Sequence, residues 1–160
     1  MIEVIVEDDR WQGLDPDALV TRAVRAALDH LGVAEDELAV LLADDARIAA
    51  LNADFRGKPR PTNVLSWPAA ERAAEDDGAT PGPPGPGEGL GDIALAFETC
   101  EAEARDAGRP LADHATHLVV HGLLHCLGYD HERDGDATLM ERLEVEILGN
   151  LGLDDPYSVN

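Results

Sequence analysis

The residues of this 160-residue chain that could most clearly do chemistry are its histidines. Five of the six lie between positions 114 and 131, and His121, His125 and His131 form the pattern H-x-x-x-H-x-x-G-x-x-H. Residues four apart lie on one face of a helix, about 6 Å apart along its axis, so two such imidazoles can bind one metal ion. Gly128 can end the helix and let His131 return as a third ligand. The spacing therefore predicts a three-histidine metal site with one open position.

Three neighbouring residues bear on this site. His117 lies about 12 Å along the helix axis from His125, too far to share its ion, and is either structural or hydrogen-bonded to a ligand. Asp130, beside His131, either supports a ligand or only forms the turn. Cys126 is rotated by about 100° around the helix from His125, so we expect it to point into the core.

Gly122 bears on the kind of chemistry. Zinc proteases with this spacing carry a glutamate after the first histidine as general base, and here that position is a glycine. Metal-assisted hydrolysis stays available without it. Three hypotheses follow: a phosphodiester hydrolase, a metalloprotease that takes its base from elsewhere in the chain, and a non-catalytic module. In the last, the metal would be structural and would need a fourth protein ligand.

The charges are strongly unbalanced, with 33 acids against 12 bases and a formal net charge of −21. The global field disfavours non-specific binding to nucleic acid or to an anionic membrane. Three bases nevertheless cluster as Arg56, Lys58 and Arg60, and a guanidinium can bind a phosphate through two parallel hydrogen bonds. Asn63 and Ser66 follow this cluster and either orient a phosphate or are ordinary polar groups at a strand end.

The elements that must position these residues follow from hydrophobic periodicity and helix-end signals. Alternating or compact apolar runs predict strands over 2–7, 38–43, 62–67 and 93–97. Helical periodicity predicts helices over 16–31, 46–55, 98–107 and 110–128, and a last one from Asp134 or Asp136 to about Gly149. The length of 160 residues and the hydrophobic content of 44% indicate one domain over 1–160. Residues 68–90, rich in proline, glycine and acids, are predicted to form a flexible surface loop without a catalytic role.

The apolar runs are too short to cross a bilayer, and the N-terminus has no basic segment typical of a signal peptide. We therefore expect a soluble, cytoplasmic protein. Two cysteines are too few for a secreted disulfide framework and are expected to be buried thiols.

The segment HGLLHCLGYDH resembles the bacterial YbeY family of endoribonucleases, together with RGKPRPTNVLSW, the GDI at 91–93 and the DPY near the C-terminus. The resemblance covers nearly the whole chain. It implies an α+β fold with a four-stranded mixed sheet packed with about five helices, and a metal site on a C-terminal helix and the turn after it. Pro59 and Trp67 differ from residues common in the family, and the segment between Trp67 and Leu90 looks longer than usual.

The resemblance also implies a function. It implies one zinc ion per chain bound by His121, His125 and His131, with Arg56 as the catalytic arginine. Lys58, Asn63, Ser66, His117 and Asp130 are candidates for binding substrate or supporting ligands. The implied activity is cleavage of single-stranded RNA in maturation of the 16S rRNA 3′ end and in 70S ribosome quality control. The implied partners are rRNA precursors, the small ribosomal subunit and assembly factors, without DNA or membrane.

Overall fold

The computed structural model describes residues 1–57 and 62–158. Within these ranges, four strands form one sheet: β1 (Ile2–Val6), β2 (Leu38–Ala43), β3 (Val64–Pro68) and β4 (Gly91–Ala96). The same ranges contain five α-helices around it: α1 (Pro16–Leu31), α2 (Asp45–Arg56), α3 (Phe97–Ala107), α4 (Leu111–Cys126) and α5 (Asp134–Asn150). A 3-10 helix, Asp9–Leu14, connects β1 to α1.

The sheet has the order β1-β2-β4-β3 and is mixed. Strands β1, β2 and β4 are parallel, whereas β3 lies antiparallel to β4 at the edge of the sheet. The edge position explains why Pro68 can belong to β3, because a proline has no N–H to donate to a neighbouring strand. The predicted α+β class with a four-stranded mixed sheet is thus confirmed.

The two faces of the sheet are covered differently. One face packs against α1, α4 and α5 in the main core, where Val40 and Leu42 of β2 and Ile93 and Leu95 of β4 are buried. The opposite face carries a smaller apolar cluster, built from Ile48 of α2 and from the strand residues Ala43, Leu65, Ala94 and Ala96. Helix α4 therefore lies directly on the sheet, which fixes the position of its histidines.

The element ends follow local signals. Helix α1 starts at Pro16 and ends at Leu31, and the next residue, Gly32, has a left-handed backbone that suits glycine. The Asp44 side chain caps α2 by accepting a hydrogen bond from the Arg47 amide at 2.8 Å. Sequence periodicity placed β4 later in the chain, at 93–97. In the structure β4 begins at Gly91 and Phe97 starts α3, so the strand passes into the helix without a loop.

None of the helices in the described ranges is long and apolar enough to span a membrane. Both cysteines are buried as free thiols, as expected. The Sγ atom of Cys126 lies 3.8 Å from the backbone oxygen of Asp92 on the sheet, which confirms that this side chain points into the core.

Candidate metal centre

Helix α4 positions His121 and His125 because its opposite face is fixed in the core. Leu123 and Leu124, between the two histidines, are fully buried. Gly122 faces the sheet so closely that an added Cβ would lie 2.9 Å from Cγ2 of Ile93. The glycine is thus required by the packing of α4 on β4. A glutamate at this position would collide with the sheet, which explains why the base of the zinc proteases is missing.

His131 comes from the turn that joins α4 to α5. The turn begins at Gly128, whose φ of 102° is rarely adopted by other residues and whose added Cβ would lie 2.6 Å from the Arg72 backbone oxygen. The Asp130 side chain then accepts a hydrogen bond from the His131 amide at 2.7 Å. Asp130 is therefore at least part of the turn, and it lines the same pocket as the histidines.

The proline- and glycine-rich segment holds this turn from both ends. The buried guanidinium of Arg72 donates to the Cys126 backbone oxygen at 2.9 Å, before the turn. After it, the carboxylate of Asp77 accepts from the amides of Gly135 at 3.2 Å and Asp136 at 2.8 Å, at the start of α5. The segment thus contacts the chain on both sides of His131. The flexibility expected for residues 68–90 stays a prediction.

The three histidines meet as the spacing predicted. The Nε2 atoms of His121 and His125 lie 3.1 Å apart, and the His131 ring centroid is 5.5 Å and 5.0 Å from theirs. One nitrogen atom of each ring lies within 4.8 Å of one nitrogen atom of each of the other two rings, so the three side chains could hold one metal ion. Two ligand atoms at about 2.0 Å from a tetrahedral ion are about 3.3 Å apart, so the His121–His125 pair fits such an ion.

The cluster opens on one side into a pocket of about 470 Å³. The pocket is lined by the three histidines and by Thr62, Asn63, Val64, Ser66, Asp130 and Glu132. Among the described residues, the group has no fourth histidine, cysteine or acid as a member. Three protein ligands beside an open pocket are typical of a catalytic metal site, since structural zinc sites usually have four.

The electrostatics keep His125 available for a metal. Burial, reinforced by the nearby His121 and His131, lowers the pKa of His125 to about 4. A neutral imidazole has the free lone pair that a metal requires. The charge of Asp130 acts in the opposite direction on the same ring.

Glu144 is a residue of this site that the sequence analysis missed. It lies on α5, is 1% exposed, and accepts hydrogen bonds from His121 Nδ1 at 3.1 Å, from the Tyr157 hydroxyl at 2.7 Å and from His117 Nε2. Burial raises its pKa, but the hydrogen bonds and charges of the two histidines outweigh burial and bring the pKa to about 2. Its burial could have been found in the sequence from helical spacing. Glu144 falls between Met140 and Ile147 on the apolar face of α5, where an acid is unexpected.

Known proteins resemble this chain along almost its whole length. Residues 6–152 match the protein family described as Endoribonuclease YbeY. A protein of that name from Ruegeria pomeroyi is 58% identical over 164 residues, covering 99% of this chain and 98% of its own. One from Paracoccus denitrificans is 56% identical over 156 residues, covering 98% and 89%. The chain belongs to the YbeY family.

A solved structure supports the fold independently. The solution structure of a Thermotoga maritima protein matches with a TM-score of 0.57 and 22% identity, covering 99% of this chain and 100% of that one. At this identity the similarity concerns the fold alone. The α+β architecture of this YbeY chain therefore also occurs in an experimental structure.

Asn63 and Ser66 are two of the other residues that the YbeY resemblance singled out, and both line the pocket. Asn63 lines it, but its amide donates to Glu103 Oε1 at 3.0 Å, and His114 contacts the same oxygen at 2.9 Å. Ser66 of β3 lines the pocket beside the histidines. Arg56 is the last residue of α2, and Lys58 lies outside the described residues.

Proposed function

We propose that this chain is a metal-dependent endoribonuclease that cleaves single-stranded RNA, with one zinc ion bound by His121, His125 and His131. The observation that carries the proposal is the three-histidine cluster open to a pocket, in a chain of the YbeY family. Imidazole nitrogens suit zinc, and three of them leave a position for water or a phosphate oxygen.

A bound zinc ion would supply Lewis acidity toward the scissile phosphate and its attacking water. The chain's own part is to bind and orient the phosphate. Arg56 is proposed to contact its oxygens and to offset the negative charge that develops during cleavage. Thr62 lines the pocket, and Arg56, Lys58 and Arg60 lie shortly before it in the sequence. This proximity along the chain supports the assignment.

We further propose a role on the ribosome. The substrates would be rRNA precursors, in late maturation of the 16S rRNA 3′ end and in 70S quality control, in the cytoplasm and without DNA or membrane partners. The net charge of −21 supports an assisted encounter, because a repelled RNA needs a small subunit or an assembly factor to raise its local concentration.

The two other hypotheses have less support. A metalloprotease would have to take its general base from elsewhere in the chain, because the contact of Gly122 with Ile93 leaves no space for a glutamate at position 122. A structural metal needs a fourth protein ligand, and the three-histidine group of the described residues has none. The histidine spacing that motivates the protease hypothesis equally fits the proposed endoribonuclease.

The deciding experiment is cleavage of precursor-containing small subunits by purified wild type, Arg56→Ala and His125→Ala, with zinc content measured by mass spectrometry. Arg22→Ala and His30→Ala, both exposed and on α1, are the matched controls. We expect Arg56→Ala to keep zinc and lose cleavage, and His125→Ala to lose both. Equal cleavage by Arg56→Ala and wild type would contradict the arginine's role, and equal zinc content in His125→Ala would contradict the site.

A further inference from the structure

Glu144 is a buried anion whose surroundings are built around it. Three buried polar or charged residues occur in the described ranges, Asn52, Thr116 and Glu144, and only the last is an acid. A buried carboxylate is unfavourable unless its oxygens accept hydrogen bonds. Glu144 has such bonds on both oxygens, one to His121 through Oε1 and two, to His117 and Tyr157, through Oε2.

The bond between Glu144 and His121 determines which nitrogen of His121 faces the metal site. A carboxylate can only accept, so Nδ1 of His121 must carry the proton in this contact. The neutral ring then keeps its lone pair on Nε2, the atom that lies 3.1 Å from Nε2 of His125. Glu144 thus holds both the tautomer and the ring orientation that metal binding requires.

Coordination is the competing explanation of this cluster. His117, His121 and Glu144 also bring one ligand atom each within 4.8 Å, as a metal site would. However, His117 Nε2 and Glu144 Oε2 are in direct hydrogen-bond contact, closer than the roughly 3.3 Å between two ligands of a tetrahedral ion. The Tyr157 hydroxyl bonds to the same oxygen at 2.7 Å. Protons, not a second ion, best account for these contacts.

Tyr157 connects this network to the segment after α5. Its ring lies edge-on to His117 with centroids 5.7 Å apart, and its amide donates to the Asp155 side chain at 2.7 Å. The Asp155 backbone oxygen accepts from the guanidinium of Arg109, before α4, at 2.9 Å. The C-terminal segment is therefore attached to the start of the metal-binding helix and delivers a hydroxyl to Glu144.

We propose that Glu144 is a positioning residue that fixes His121 for metal binding, and that Tyr157 and His117 fix Glu144 in turn. This inference rests on the three-histidine site of the proposed function. It assigns to α5 and the C-terminal segment a part in metal affinity, although neither supplies a ligand to the ion.

The test is zinc affinity of the full chain, measured by competition with a chromogenic chelator. Glu144→Gln keeps one acceptor oxygen but places an amide donor against the histidine and tyrosine donors, so we expect zinc to bind about 10- to 100-fold more weakly. Tyr157→Phe removes one hydroxyl and should weaken binding by a few-fold. Glu146→Gln is the control, because it changes an exposed carboxylate on the same helix that contacts His30.

Nitrogen NMR of labelled histidine supplies the readout that a merely structural role would not change. Wild type without metal should show His121 protonated on Nδ1, and Tyr157→Phe and Glu144→Gln should show mixed tautomers. If Glu144→Gln does not fold, Tyr157→Phe still tests the inference by both measurements. Wild-type affinity and an unchanged tautomer in the variant that folds would overturn it, and so would two zinc ions per wild-type chain.

The failure of this inference and that of the proposed function can be told apart. If His125→Ala loses zinc while Glu144→Gln binds it as wild type does, the three-histidine site stands and only the positioning role is wrong. If His125→Ala binds zinc with wild-type affinity, the site itself is wrong, and this inference fails with it.

Discussion

The three-histidine cluster has two halves that are held by different interactions. The helical half is His121 and His125, and the turn half is His131. His121 and His125 lie on α4, whose far side is packed on the sheet through Gly122 and buried leucines. His131 is exposed and lies in a turn. Hydrogen bonds from the proline- and glycine-rich segment, residues 68–90, hold this turn at both ends. Apolar packing sets the helical half, and polar contacts set the other half. The turn half therefore depends on residues that the sequence pattern identifies only as a surface loop.

Gly122→Glu should have the largest effect, because it breaks the helical half. Its Cβ would meet Ile93 at 2.9 Å and its charge would be buried against the sheet. We expect a loss of at least about 3 kcal/mol in the free energy of unfolding, measured with urea. Gly149→Glu, where nothing lies within 4 Å, is the control. A stable Gly122→Glu variant with protease activity would reverse our interpretation of this glycine.

Gly128→Ala should come next and should break the turn half. It combines an unfavourable φ of 102° with a Cβ only 2.6 Å from the Arg72 backbone oxygen. We expect about 1–3 kcal/mol of destabilisation and a clear loss of zinc affinity. Gly152→Ala, with a φ of 79° but open space around it, isolates the backbone effect. Equal losses in the two variants would mean that the contact with Arg72 is unimportant.

Asp77→Ala removes the carboxylate that accepts two amide hydrogen bonds at the start of α5. The side chain acts as a helix cap from outside the helix, so we expect about 1 kcal/mol of lost stability. Hydrogen exchange should accelerate across 128–136 while α4 stays protected. Asp76→Ala, an exposed neighbour, is the control. Unchanged exchange in the turn would show that the segment does not restrain it.

The smallest effect is expected for the middle of the segment. Replacing residues 81–86 with glycine and serine at the same length leaves Arg72 and Asp77 in place. Zinc affinity and stability should therefore stay within about 0.5 kcal/mol of wild type. Hydrogen exchange should be fast at 81–86 and slower near Arg72. A large loss of zinc affinity would mean that residues 81–86 themselves restrain the turn.

Much of the fold was predictable because its signals are local. Periodicity predicted the four strands and five α-helices of the described ranges, and their observed ends differ from the predicted ones by no more than two residues. The 3-10 helix at Asp9–Leu14 was not predicted, since six residues, about two turns, are too few to show a hydrophobic period. The direct passage from β4 into α3 at Phe97 was missed because the apolar run continues through both elements.

The three-histidine cluster was predictable from residue spacing alone, because helical geometry and a glycine turn relate the three positions within eleven residues. The sequence also showed that the protease glutamate is absent. Three features became visible only once distant segments were packed together. Gly122 must be small because it contacts β4, Asn63 contacts Glu103, and Arg72 and Asp77 hold the turn. Glu144 and Tyr157 reach the site only because α5 packs beside α4, and such contacts between distant segments have no local period in the sequence.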